Sequence, residues 1–169
     1  MYKVLIVDDE QLIRSGMIAR FQYLNFKFER IREAASGVEA LALLEKEPAD
    51  IVITDIKMPD MDGMTLIREA KEKYPGTQFV ILSGYAEFEY AETAIELGVK
   101  SYLLKPISND ELKRVMRKLF ETLEKERQME VEIFRKHQLE TEQKGWLQEK
   151  AVNHLLQDNA AFLPEEEAA

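Results

Sequence analysis

Asp8-Asp9-Glu10, Asp55, Ser83 and Lys105 are the residues whose types and spacing could do chemistry, and each follows directly on a short apolar run. Three carboxylates held close repel one another, and a divalent cation removes that conflict. A hard oxygen cage with few protein ligands and spare water positions suits Mg²⁺. No histidine lies near Asp8, Asp9 or Asp55 in sequence to favour zinc. A carboxylate beside such an ion can act as nucleophile toward a phosphoryl group, and the metal neutralises the incoming oxygens. Lys105 can pair with the same oxygens as a compact point charge, and the Ser83 hydroxyl can donate a further hydrogen bond. The work in such a site is positioning and charge stabilisation.

These residues must be positioned by the elements before them. The sequence predicts strands over Lys3–Val7, about Glu29–Ala34, Ile51–Thr54, Gln78–Leu82 and Ser101–Leu104. Between them it predicts helices over Gln11–Tyr23, Gly37–Glu47, Thr65–Tyr74 and Ala86–Leu97, and a last helix from near Glu111 capped by Ser108 or Asn109. On the first helix Leu12, Ile13, Met17, Ile18 and Phe21 are expected on the buried side, and on the second Val38, Leu41 and Leu44. Gly98 is placed as a left-handed cap. Strict alternation implies a parallel sheet with helices on both faces. The α/β fold expected is the flavodoxin-like doubly wound sheet, order 2-1-3-4-5, with its ligand site at the carboxyl ends of strands 1 and 3. Asp8 and Asp55 fall at that edge. Polar strand ends also fit the plainer fact that strands run into wet loops.

Asp8-Asp9, Asp55, Met58-Pro59-Asp60-Met61-Asp62-Gly63, Ser83-Gly84 and Lys105-Pro106, in this order, resemble the signature of bacterial response-regulator receiver domains (CheY-like) over about residues 1–120. The resemblance implies that Asp8 and Asp9 hold Mg²⁺, that Asp55 is phosphorylated by a sensor histidine kinase, and that the Lys57 backbone carbonyl is a further metal ligand. It implies a switch hydroxyl at Ser83, a phosphate-pairing lysine at Lys105 and a cis Lys105–Pro106 bond. Tyr102 matches the family's rotating aromatic, although a half-buried strand tyrosine fits it as well. Such a domain catalyses its own phosphorylation and dephosphorylation and is not a turnover enzyme. Gly84-Tyr85-Ala86-Glu87-Phe88-Glu89-Tyr90-Ala91 resembles receivers with an AraC-type helix-turn-helix output, although Phe88 and Tyr90 could simply pack the fourth helix. Tyr85 is expected to border the phosphoryl site and slow water attack there. An aspartyl-phosphate hydrolase would carry a second Asp where Lys57 stands. An FMN-binding module would need a Ser/Thr/Gly-rich phosphate loop where Asp8-Asp9-Glu10 stands.

The domain division expected is 1–122 for the receiver and 123–169 for a helical linker or coiled-coil extension toward an output domain absent from this chain. Leu112, Val115, Met116, Leu119, Phe120 and Leu123 form the stripe of the fifth helix. Leu112, Leu119, Ile133 and Leu147 fall on repeats of seven, but Glu126 and Glu140 interrupt the seam. Both a solvated linker and a homodimer through this helix fit; the face of the fourth helix, fifth strand and fifth helix is the other dimer candidate. Gly145-Trp146-Leu147 could open a second amphipathic helix. The net charge of −9 argues against a broad nucleic-acid footprint, so DNA contact is expected only through an output domain, in transcription regulation. With no cysteine, no apolar run of membrane length and no signal peptide at the start, a cytoplasmic protein is expected.

Overall fold

The computed structural model describes residues 1–84 and 88–160. Five strands alternate with helices: β1 (Lys3–Val7), α1 (Gln11–Tyr23), β2 (Arg30–Ala34), α2 (Gly37–Lys46), β3 (Ile51–Thr54), α3 (Gly63–Lys73), β4 (Gln78–Ser83), α4 (Phe88–Glu96), β5 (Ser101–Leu104) and α5 (Asn109–Ala160). All neighbouring strands pair parallel, in the order β2-β1-β3-β4-β5. This is the doubly wound, flavodoxin-like sheet expected, with a long C-terminal helix.

Parallel strands covered on both faces lose their polar alternation, and β1, β3 and β4 show this. Val4–Val7, Ile51–Thr54 and Gln78–Ser83 are all buried. Successive side chains still point to opposite faces. Leu5, Val7, Val52, Phe79 and Ile81 share one cluster with Ala40 and Leu44 of α2 and with Leu66, Ile67 and Ala70 of α3. On the other face Ile6, Ile53 and Leu82 border one small cavity with Ile13 and Met17 of α1. Tyr2, Phe21, Phe26, Phe28 and Phe120 form an aromatic cluster, with Tyr2 stacked on Phe120 at 5.4 Å between ring centroids.

Side chains fix the helix starts. Ser36 Oγ accepts from the Glu39 amide at 3.1 Å, while the Glu39 carboxylate accepts from the Ala35 amide at 2.7 Å. The first bond satisfies a donor that the first turn of α2 leaves open, and the second ties that turn to the residue before the cap. Asp62 Oδ1 caps the Thr65 amide at 2.7 Å, so α3 opens at Gly63, two residues before the start the sequence suggests. Ser108, not Asn109, caps α5, through a 3.2 Å bond from the Glu111 amide. Gly98 takes φ +65 after α4.

Three expectations are corrected. Leu12 is 85% exposed, because the buried stripe of α1 runs through Met17 and Phe21 with Ile13 half-buried one turn earlier, and Leu12 sits a further 100° round. Val38 is exposed for the same reason, the stripe of α2 being Gly37, Ala40 and Leu44. Gly145 does not start a new helix; α5 runs through it without a break, since one glycine in a helix interior costs only about 1 kcal/mol. Tyr85 and residues 86–87, with which the fourth helix was expected to open, lie outside the described residues.

The chain divides into two compact units, Met1–Glu121 and a second that begins at Thr122. In the first, Leu112, Val115, Met116 and Leu119 are buried. In the second, residues 127–154 are exposed throughout, including Met129, Ile133, Phe134 and Leu147. Among the described residues no helix is long and apolar enough to cross a membrane.

Candidate functional site

The carboxyl ends of β1, β3, β4 and β5 deliver the site. β1 ends at Val7, and the next residue, Asp8, is buried with its amide bonded to the Ala34 carbonyl at 3.1 Å. Asp55 follows β3, buried, with its amide bonded to the Val7 carbonyl at 3.0 Å. Both backbones thus continue the sheet's hydrogen bonding one residue beyond the strands, which brings the two carboxylates to one level. Carboxylate oxygens of Asp8, Asp9 and Asp55 lie within 4.8 Å of one another. Asp9 is exposed.

Lys105 completes the cluster from the end of β5. Its Nζ donates to Asp8 Oδ2 at 2.8 Å and to Asp55 Oδ2 at 3.0 Å. Burial pulls the Lys105 pKa down, but the hydrogen bonds and charges of Asp8 and Asp55 overcome it and hold the ammonium above its usual value of 10.5. The other oxygens accept from backbone amides, Asp8 Oδ1 from Glu10 at 2.9 Å and Asp55 Oδ1 from Ile56 at 2.6 Å. Three carboxylates against one ammonium leave two negative charges in the cluster. A hard divalent cation with oxygen ligands answers that surplus, so the donor set fits Mg²⁺.

The remaining candidates stand around this cluster. Ser83 is the last residue of β4, fully buried, and its carbonyl accepts from the Lys105 amide at 2.8 Å. Tyr102 lies opposite Ile81 in β5, half-buried against the core. The Lys57 side chain is exposed, its Nζ 5.9 Å from the centre of the Tyr90 ring. The Lys105–Pro106 bond is cis, as expected.

Two contributors escape a reading of the sequence. Gly63 packs so tightly that a Cβ there would lie 2.0 Å from the Asp55 carbonyl oxygen, and its amide donates to the Ile56 carbonyl at 2.8 Å. The glycine stands in the quoted Asp62-Gly63 pair, but nothing in its spacing reveals that contact. Arg14 donates from Nη1 to the Asp8 carbonyl at 2.6 Å and pairs through Nε with Glu33 at 3.2 Å. Its position on α1 reads as an ordinary surface arginine.

Comparison with known proteins identifies the family of this fold. The family model for the response regulator receiver domain matches residues 4–117. The chain is 43% identical over 112 residues to an uncharacterised transcriptional regulatory protein, YesN, of Bacillus subtilis, covering 66% of this chain and 30% of that protein. It is 37% identical over 123 residues to the transcriptional regulatory protein HptR of Staphylococcus aureus, covering 73% of this chain and 48% of that one. The chain thus spans between about a third and a half of the length of these relatives. Among solved structures, it resembles the receiver domain of AraT, a response regulator from Geobacillus stearothermophilus (TM-score 0.69, 43% identity, 75% of this chain and 98% of that one). It also resembles a two-component transcriptional regulator AraC from Clostridium phytofermentans (TM-score 0.66, 31% identity, 76% of this chain and 99% of that one). A shared sheet order, the acidic cluster at its carboxyl edge and a family match over two thirds of the residues lead to one conclusion: the chain belongs to the response regulator receiver domains of two-component systems.

Proposed function

We propose that Asp55 accepts a phosphoryl group from the phosphohistidine of a sensor histidine kinase, in a reaction that depends on Mg²⁺. The observation that carries this reading is the Lys105 ammonium bonded to both Asp8 and Asp55 within the three-carboxylate cluster. In the transfer, a carboxylate oxygen of Asp55 forms the new O–P bond as the donor's P–N bond breaks, and the electron pair stays on the histidine nitrogen. Asp8, Asp9, Asp55 and the Lys57 carbonyl would hold the metal, which when bound offsets the charge of the phosphoryl oxygens. Lys105 then pairs with those oxygens, and Ser83 and Tyr102 respond as the switch. The domain promotes its own phosphorylation and dephosphorylation, and acts as a signal rather than as a turnover enzyme.

The receiver is assigned to residues 1–122 and a helical linker to 123–169. The phosphorylated state would act on self-association, or on an AraC-type transcriptional output of the kind named in one of the structural relatives. Exposed Met129, Ile133, Phe134 and Leu147 favour self-association through the linker. Incubation with Mg²⁺ and a small acyl-phosphate donor, followed by intact mass, tests the central reading. The wild type gains one phosphoryl group and Asp55→Ala gains none; an equal gain in both would overturn it.

A further inference from the structure

We infer that Arg14 is a positioning residue for the acidic pair and that it sets the affinity of the site for Mg²⁺. The inference rests on the magnesium-dependent reading above. Asp8 is held at four points: its amide by Ala34, its Oδ1 by the Glu10 amide, its Oδ2 by Lys105, and its carbonyl by Arg14. Asp9, by contrast, has no hydrogen-bond or ion-pair partner among the described residues. Its carboxylate is placed by the backbone before it. The peptide plane that joins Asp8 to Asp9 carries the carbonyl that Arg14 grips, at 2.6 Å.

The grip is built to be rigid. The Arg14 side chain is only 13% exposed, and its Nε is engaged by Glu33 at 3.2 Å, so the guanidinium cannot swing without breaking two interactions. Glu33 lies in β2 directly before Ala34, whose carbonyl accepts from the Asp8 amide. Arg14 and Ala34 therefore fix both sides of Asp8 from α1 and β2. The rigid planar guanidinium holds both bonds in a fixed geometry, which a lysine ammonium on its flexible stem does not. Without it, the Asp8–Asp9 peptide gains rotational freedom, and the Asp9 carboxylate spends less time beside Asp8 and Asp55. Metal binding then has to supply the ordering that Arg14 supplies now.

The test is Mg²⁺ titration by calorimetry, beside the Mg²⁺ dependence of Asp55 phosphorylation by acetyl phosphate, in the full chain. Arg14→Gln is expected to raise the half-saturating Mg²⁺ concentration roughly tenfold, the worth of one hydrogen bond to a charged group. The rate at saturating Mg²⁺ should stay near that of the wild type. Arg14→Lys and Glu33→Gln should give smaller shifts in the same direction, and they carry the test by the same measure if Arg14→Gln does not fold. A merely structural role would lower thermal stability and leave half-saturation unmoved; that result, or a loss confined to the maximal rate, overturns the inference. A wild type that binds no Mg²⁺ overturns the underlying reading and the inference with it, which separates the two failures.

Discussion

Replacing Gly63 by alanine tests how the site is supported. The added Cβ would sit 2.0 Å from the Asp55 carbonyl oxygen, where ordinary contact begins at 3.4 Å. Helix α3 and the end of β3 must therefore part by about 1.4 Å, a clash of backbone that no side-chain rotation relieves. Overpacking of this kind costs about 1–3 kcal/mol. Loss of the 2.8 Å bond from the Gly63 amide to the Ile56 carbonyl adds roughly 1 kcal/mol. Better helix propensity returns less than about 1 kcal/mol, since the position is the first of the helix. The net loss of about 1–4 kcal/mol lowers Tm by roughly 4–16 °C in a domain of this size. Phosphoryl acceptance should fall with it, because Asp55 is the residue displaced. Thermal unfolding by circular dichroism measures the first effect and intact mass after acyl-phosphate treatment the second. Gly16→Ala is the control: nothing lies within 4 Å of its Cβ position in α1, so Tm should hold or rise slightly. A Gly63→Ala chain that melts within about 2 °C of the wild type and accepts phosphate normally would refute the reasoning.

Three more perturbations follow from the same geometry. Asp55→Asn removes one of three crowded carboxylates, so in EDTA it should stabilise the chain by about 1 kcal/mol while abolishing the mass gain; lower stability in EDTA would contradict the charge surplus. Lys105 has a folded pKa raised above 10.5, so its contribution is fully present below that value and is lost as pH climbs through the folded pKa. The stability gap between wild type and Lys105→Gln should hold level from about pH 7 to 10 and close only above that, and a gap already closing near pH 8 would sink the assignment. Phe120→Ala removes a ring packed against Tyr2, Phe26 and Phe28. It should cost about 2–4 kcal/mol in urea unfolding, whereas a loss below about 1 kcal/mol would mean the cluster is loosely packed.

Much of this was legible in the chain because its strands are short apolar runs and its candidate site residues stand directly after them. Asp8, Asp55, Ser83 and Lys105 needed no knowledge of contacts to be assigned to one edge, since the alternation of strand and helix dictates where those ends lie. The helices were less legible. Leu12 and Val38 are apolar yet exposed, because a helix buries one stripe and an apolar residue one step off that stripe gains nothing from burial. Arg14 and Gly63 were opaque for another reason. Their roles lie in contacts with the backbones of Asp8 and Asp55, and backbone atoms leave no mark on residue identity. The starts of α3 and α5 shifted because a single capping oxygen decides which amide begins the helix.

The ion pair between Asp8 and Lys105 joins residues 97 positions apart, and β5 reaches the sheet only by pairing with β4. A chain emerging from the ribosome therefore exposes Asp55 before Lys105, 50 residues later, has emerged. Until the last strand docks, the Asp55 carboxylate lacks the ammonium that donates to it. If Asp55 accepts phosphate as proposed, its reactivity toward a phosphoryl donor would report that the whole sheet has closed.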